Sequence, residues 1–203
     1  DVFLTTLALA LPVLLGGLWL RLFVPINCVG RTTMVWGNGA LLGVLLIPQL
    51  MRALDALQIP LTFVAIASLV VALIAPALVI QLIKGGRAES VQTPALNSSA
   101  LPASHKALFY FLLLLIVVRV TTLGLEIVWR PLFPWDATTH WATKARVWFE
   151  YNSIVPFVTK DTWLEMAGAG VFTDLHPDYP VAVPLLQVWM NLALGRWDES
   201  LMN

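Results

Sequence analysis

Long apolar runs, separated by short polar connections, dominate this chain. A helix needs about 20 apolar residues to cross the hydrocarbon core of a bilayer. Four runs are that long or close to it, and they cover residues 2–24, 33–51, 59–83 and 107–129. A fifth run, residues 179–194, is shorter but carries no charge. The pattern predicts an all-α, polytopic transmembrane protein with about five spans.

The composition supports a membrane protein and limits the partners and metal sites that are expected. The chain is 59% hydrophobic and 12% charged, whereas soluble domains carry about 25% charged residues. Its 12 basic residues balance 12 acidic ones, so nothing favours nucleic acid as a partner. The single cysteine, Cys28, excludes an internal disulfide and a cysteine metal cluster.

The distribution of basic residues predicts the orientation in the membrane. Basic residues flank the first and third connections, namely Arg21, Arg31, Lys84, Arg87 and Lys106. The positive-inside rule places these connections in the cytoplasm. Residues 129–178 then face outward, and their five tryptophans predict amphipathic helices lying on the membrane. We expect a bacterial inner membrane protein.

Two segments follow from this orientation. Residues 1–106 hold three spans and a cytoplasmic loop, and residues 107–203 hold the fourth span, the outer loop and the fifth span. The second span also carries Gly37, Gly39 and Gly43, which predict a face for close helix packing.

The junction after the fourth span carries the leading candidate for chemistry. Asp136 is expected at the membrane surface, at the start of an amphipathic helix over residues 137–149. Its i, i+4, i+8 spacing with His140 and Lys144 predicts one polar stripe. Trp141, Ala145 and Trp148 form an apolar stripe that is expected to face lipid. The alternative role for Asp136 is a helix N-cap.

A second candidate cluster, Asp174-Leu175-His176-Pro177-Asp178-Tyr179-Pro180, lies where the fifth run begins. His176 and Asp178 flank Pro177 in a rigid turn, which suits phosphate or a sugar hydroxyl; an ordinary loop-to-helix junction is the alternative. The spacing of these residues does not favour a metal site. Arg119 lies midway along the fourth span, where a charge is costly and should face the protein interior or water. Its alternative role is a structural pair with Glu126.

These residues resemble a known family. Trp135-Asp136 at the start of an outer helix, followed by the turn His176-Pro177-Asp178-Tyr179-Pro180, resembles the GT-C glycosyltransferases. These polytopic enzymes use polyprenyl-phosphate sugars and include protein mannosyltransferases and the lipid A aminoarabinose transferase. The resemblance implies that Asp136 is the catalytic aspartate and that the turn contacts the donor phosphate. Because such enzymes commonly have more spans, the chain looks like the N-terminal part of a longer polypeptide or a truncated relative.

The leading hypothesis is therefore a transferase that moves a sugar from a polyprenyl-phosphate carrier to an acceptor at the outer membrane face. Asp136 would be the general base, and the substrate-binding candidates are His140, Lys144, His176, Asp178 and Arg119. No cofactor is predicted, and a divalent metal is left open. The expected partners are the lipid-linked donor and membrane lipids.

The alternative is a non-catalytic subunit that packs in a larger membrane complex with other membrane proteins. A transferase remnant recruited as a scaffold would combine both hypotheses. We expect these 203 residues to be inactive alone, because five helices barely enclose a cavity of lipid size.

Overall fold

The computed structural model describes residues 2–85, 102–129 and 135–199. Four long helices come first, α1 (Val2–Phe23), α2 (Arg31–Ala56), α3 (Phe63–Gly85) and α4 (Ala103–Trp129). A π-helical segment (Ala137–Ala142) then runs into α5 (Thr143–Tyr151), followed by β1 (Phe157–Val158), α6 (Lys160–Glu165), β2 (Phe172–Thr173) and α7 (Ala182–Leu194). Most of the predicted cytoplasmic loop, with Arg87, and the junction 130–134 lie outside the described residues.

The four predicted long spans correspond to α1–α4, which are long and apolar enough to cross a membrane. The fifth apolar run contains α7, which has 13 residues. At 1.5 Å per residue α7 is about 20 Å long, less than the ~30 Å of the hydrocarbon core. By itself α7 therefore does not supply a full crossing.

Helices α1 and α2 approach each other so closely that only glycine fits at their contact. A Cβ at Gly43 would lie 1.7 Å from the Pro12 carbonyl oxygen, and one at Gly16 would lie 1.9 Å from the Gly39 carbonyl oxygen. The predicted packing face is confirmed for Gly39 and Gly43, but it is wrong for Gly37, whose Cβ would meet nothing within 4 Å. Residues four apart share a helix face, whereas residues two apart do not.

The short helix α7 is the centre of the packed core. Leu185, Val188 and Trp189 on α7 are buried. The indole Nε1 of Trp189 donates a 3.0 Å hydrogen bond to the carbonyl of Ala8 in α1, and its ring lies 4.9 Å from the ring of Phe63 in α3. Because α7 is apolar on most of its surface, it is stabilised by burial against α1, α2 and α3.

The last third of the chain docks on the connection between α2 and α3. The backbone N–H of Ile154 donates to the Asp55 carboxylate at 2.8 Å, and the N–H of Leu61 donates to the Asn152 carbonyl at 2.7 Å. These bonds place α5 at the membrane end where α2 finishes and α3 begins. The charge pattern predicts the same grouping, with this end facing outward.

A small parallel sheet lies within the same segment and was not predicted. Phe157 pairs with Phe172, and Val158 pairs with Thr173. The helix α6 between the strands begins at Thr159, whose hydroxyl accepts a hydrogen bond from the N–H of Thr162. The fold is mostly helical, as predicted, and this sheet fixes the residue that follows it, Asp174.

Candidate functional site

The helix that begins at Trp135 has a π-helical turn, and threonine hydroxyls bond to its backbone there. The hydroxyls of Thr138 and Thr139 both donate to the carbonyl of Trp135, at 2.9 and 2.7 Å. The hydroxyl of Thr143 donates to the carbonyl of Thr138 at 2.8 Å. Such back-bonding competes with the regular α-helical bonds, and π turns widen the helix and rotate all residues that follow.

The burial of this helix differs from the predicted orientation. His140 and Lys144 are only 3% and 1% exposed, and Trp148 is 2% exposed. The expected orientation of Trp148 toward lipid is therefore wrong. His140 and Lys144, which are expected to point away from lipid, are buried within the protein. Trp148 instead donates from its indole Nε1 to the carbonyl of Val155 at 2.8 Å. Ala145 and Trp148 of the apolar stripe are covered by protein, and Trp141 is half-buried.

The two buried basic side chains converge on one carboxylate, that of Asp174. Lys144 Nζ lies 2.8 Å from Asp174 Oδ2, and Nδ1 of His140 makes a short hydrogen bond with Asp174 Oδ1. The backbone N–H of His176 also donates to Oδ1 at 3.1 Å. Lys144 donates in addition to the carbonyl of His176 at 2.8 Å. We call His140, Lys144 and Asp174 the buried ion cluster.

The two-stranded sheet positions Asp174. Its backbone N–H donates to the carbonyl of Val158 at 3.0 Å, which extends the strand pairing by one residue. Phe157 on β1 presents its ring 5.8 Å from Lys144 Nζ. A rigid strand end thus holds the carboxylate, and a helix holds its two basic partners.

Two aromatic rings pack against His140 of the buried ion cluster. The rings of His176 and Tyr179 stack, with centroids 4.7 Å apart and an interplanar angle of 7°. Both contact the His140 ring edge-on, at 5.1 and 5.3 Å. His176 itself is exposed. The stack therefore places an accessible imidazole directly above the buried one.

The pKa of Asp174 lies below its ordinary value. Burial alone raises the pKa of this carboxyl, but hydrogen bonds from Lys144, from the His176 backbone and from His140, together with attraction to the Lys144 ammonium, outweigh burial. Asp174 is therefore ionised at neutral pH and stabilises two buried donors. A buried, ion-paired carboxylate of this kind is a structural anchor as well as a source of local field.

This lowered pKa predicts how stability depends on pH. A group whose pKa falls on folding stabilises the folded state above its unfolded pKa, and this stabilisation is lost as the pH falls through the folded value. Since the ordinary value is 3.8, the contribution of Asp174 should be complete at neutral pH and decline below about pH 4. Thermal unfolding midpoints measured from neutral pH down to about pH 2 should fall less steeply in Asp174→Asn than in the parent chain. An equal slope would contradict the assignment.

Asp136 has a different environment from the buried ion cluster. It is exposed, its backbone is already α-helical at φ −61° and ψ −36°, and its side chain makes no capping hydrogen bond. The N-cap role is therefore not realised in the structure. Asp136 lies four residues before His140 on the same continuous helix, so it is about one turn from the buried ion cluster.

The other predicted site residues divide between two places. His176 and Asp178 are exposed in the turn that follows Asp174, next to the buried ion cluster. Arg119 lies on α4, and no residue of the α4 span window is buried. The structure does not bring Arg119 to the cluster. It also shows no ion pair between Arg119 and Glu126 in the described part of the chain, because seven residues separate them by about 10 Å along the helix.

The chain matches no family model, no curated protein and no solved structure. The resemblance to GT-C glycosyltransferases therefore depends only on the residues that carry it, above all Trp135-Asp136 and the turn at His176. In the described ranges, 2–85, 102–129 and 135–199, no group of three or more His, Cys, Asp or Glu side chains is arranged to hold a metal ion.

Sequence reasoning included Asp174 and Tyr179 in the second candidate cluster but assigned neither of them a role in the site. A signal for Asp174 was present, because two basic residues on one helix face need a nearby anion if that face is buried. Asp174 lies only two residues before His176. Tyr179 gave no such signal, since its stacking on His176 depends on the course of the turn.

Proposed function

We propose that this protein is a membrane transferase that moves a sugar from a polyprenyl-phosphate donor to an acceptor hydroxyl at the outer face of a bacterial inner membrane. The observation that carries the proposal is Asp136. It is an exposed carboxylate without a capping role, and it is mounted on a helix that the buried ion cluster holds in place. A general base needs both accessibility and a fixed position.

The proposed reaction is a direct displacement. The acceptor hydroxyl loses its proton to the Asp136 carboxylate while its oxygen attacks the anomeric carbon of the sugar. The bond from that carbon to the phosphate oxygen breaks, and the lipid phosphate leaves with the electron pair. Attack from the opposite side inverts the anomeric centre, as the resemblance implies.

In this proposal the basic residues among the substrate-binding candidates have different roles. Lys144 and His140 are buried and paired with Asp174, so we assign them to positioning rather than to substrate contact. His176 is exposed and stacked on Tyr179, so its imidazole can approach the departing phosphate. Asp178, two residues on, is exposed and suits a hydrogen bond from a sugar hydroxyl. In this proposal α7 is a short helix packed among α1, α2 and α3 at the outward-facing end of the bundle.

The test is Asp136→Asn in the full-length protein. Asparagine keeps the shape of the side chain but does not take up the proton, so transfer of labelled sugar from polyprenyl-phosphate donors should fall by ~100-fold or more. Thermal stability should change little, because Asp136 is exposed and makes no capping bond. Asp161→Asn, at another exposed aspartate of the outer segment, is the matched control and should transfer normally. Near-normal transfer by Asp136→Asn would exclude the catalytic role.

A second candidate function is a non-catalytic subunit of a membrane complex, and α4 favours it. The α4 span window is entirely uncovered, yet it carries Arg119 near its middle. A charge at that depth is stabilised by a partner or by water. If Asp136→Asn transfers normally while Arg119→Leu reduces the amount of protein recovered in a larger complex, the subunit is the better assignment.

A further inference from the structure

A basic pocket lies at the end of the helix bundle opposite the buried ion cluster. Its volume is 390 Å³, and it is lined by residues 22–26 of the α1–α2 connection together with Arg21, Arg31, Gln81 and Lys84. Here α1 ends, α2 begins and α3 ends. Pockets of about 300–1,000 Å³ are typical of sites for small molecules and head groups.

The walls of this pocket are fixed by hydrogen bonds. Arg31 donates from Nε to the carbonyl of Val24 at 3.1 Å and from Nη2 to the carbonyl of Arg21 at 2.7 Å, which closes the connection between α1 and α2. Gln81 on α3 donates to the carbonyl of Leu18 on α1 at 2.7 Å. The pocket is therefore formed by the packing of α1, α2 and α3 and does not depend on one exposed loop.

The charge of the pocket is positive and uncompensated. Three cationic side chains line it, those of Arg21, Arg31 and Lys84, and no acidic residue of the described ranges does. In the ranges that the structure describes, none of the three forms an ion pair with a carboxylate. Arg31 uses Nε and Nη2 for the connection, and its Nη1 makes no hydrogen bond there. Guanidinium and ammonium groups arranged in this way suit a phosphate.

The surroundings of the pocket are apolar and exposed. Phe23 and Ile26 on one side are 72% and 52% exposed, and Leu82 and Ile83 on the other are 77% and 65% exposed. These residues lie at the ends of helices that can span a membrane, where lipid head groups meet acyl chains. A ligand that fits both the basic pocket and the apolar surface beside it has an anionic head group and a hydrocarbon tail.

We propose that this pocket binds the head group of an anionic phospholipid. The phosphate lies among Arg21, Arg31 and Lys84, and the acyl chains run along the exposed apolar side chains beside them. Basic pockets between transmembrane helices on the cytoplasmic side bind anionic head groups in this way, and the positive-inside rule predicts that side here. The site is separate from Asp136 and independent of the proposed transferase activity.

The test measures binding of fluorescent phosphatidylglycerol to the detergent-solubilised chain. Unlabelled phosphatidylglycerol should compete well, and phosphatidylcholine and soluble glycerol phosphate should compete poorly. Arg21→Gln and Lys84→Gln should each weaken binding about five-fold, since each cation near a membrane surface contributes on that scale. Arg31 is left unchanged because it closes the α1–α2 connection.

The matched control is Arg52→Gln, which removes an exposed cation from the opposite end of α2 and should leave binding unchanged. All variants are compared by size-exclusion chromatography and thermal unfolding, so that a folding defect is distinguished from lost binding. The proposal is overturned if Arg52→Gln weakens binding as much as the pocket variants do. It is also overturned if folded Arg21→Gln and Lys84→Gln bind normally, or if glycerol phosphate competes as well as the lipid, because the site then recognises free phosphate.

Discussion

Asp174→Ala is expected to lower the free energy of unfolding by about 3–5 kcal/mol, the usual cost of removing one partner from a buried ion pair. The substitution leaves the Lys144 ammonium, which is 1% exposed, without its carboxylate. It also removes the acceptor for Nδ1 of His140 and for the N–H of His176. Reversible denaturation of the detergent-solubilised protein, followed by circular dichroism, measures the change.

The matched control for this prediction is Asp178→Ala. Asp178 lies in the same turn but is exposed, so its removal should change stability by less than about 0.5 kcal/mol. A double variant, Lys144→Met with Asp174→Leu, should recover much of the loss, because apolar side chains of similar size often replace a buried ion pair without penalty. If Asp174→Ala is as stable as Asp178→Ala, the buried ion cluster does not anchor residues 135–199.

Gly43→Val is expected to prevent the normal packing of α1 on α2. A Cβ at position 43 would lie 1.7 Å from the backbone carbonyl oxygen of Pro12, and a backbone atom does not rotate away as a side chain does. Overpacking usually costs about 1–3 kcal/mol, and a clash with the helix backbone should exceed that range. We expect a large loss of monodisperse protein on size-exclusion chromatography and a markedly lower unfolding temperature.

Gly37→Val on the same helix is the control. A Cβ at Gly37 meets nothing within 4 Å, so this variant makes the same change in helix propensity and apolar surface without the clash. It should fold like the parent chain. Equal damage from both variants would mean that valine is disfavoured anywhere on α2, and that the contact with Pro12 is not the cause.

The long helices were predictable because an apolar run of membrane length has few other stable structures. Predicted residues 2–24 correspond to Val2–Phe23, and predicted residues 107–129 correspond to Ala103–Trp129. The sheet was not predictable from its sequence, since each strand has two residues, too few for an alternation of apolar and polar positions. Only the pairing of segments distant in sequence creates it.

The candidate site was predicted in part, and the reason lies in the helix that carries it. A regular α-helix puts Asp136, His140 and Lys144 on one face, and periodicity cannot reveal the π turn that threonine hydroxyls favour. The apolar face with Trp148 was also visible in the sequence. Periodicity shows that such a face will be covered, but it does not show whether lipid or α7 covers it. The role of Asp136 as a general base stays a prediction.

The bond between Trp189 and Ala8 also determines when the fold can close. These residues are 181 positions apart, and at ~5–20 residues per second a ribosome makes the second roughly 10–35 s after the first. During that interval α1, α2 and α3 can insert and pack through their glycine contact. Until α7 is made, lipid alone covers the surface of α1, α2 and α3 that later contacts it. The α2–α3 connection, which later bonds to Asn152, is likewise without its partner during this interval. Synthesis therefore divides assembly into two steps, an early bundle of α1, α2 and α3 and the later packing of residues 135–199. Only the later step brings together the elements of the candidate site.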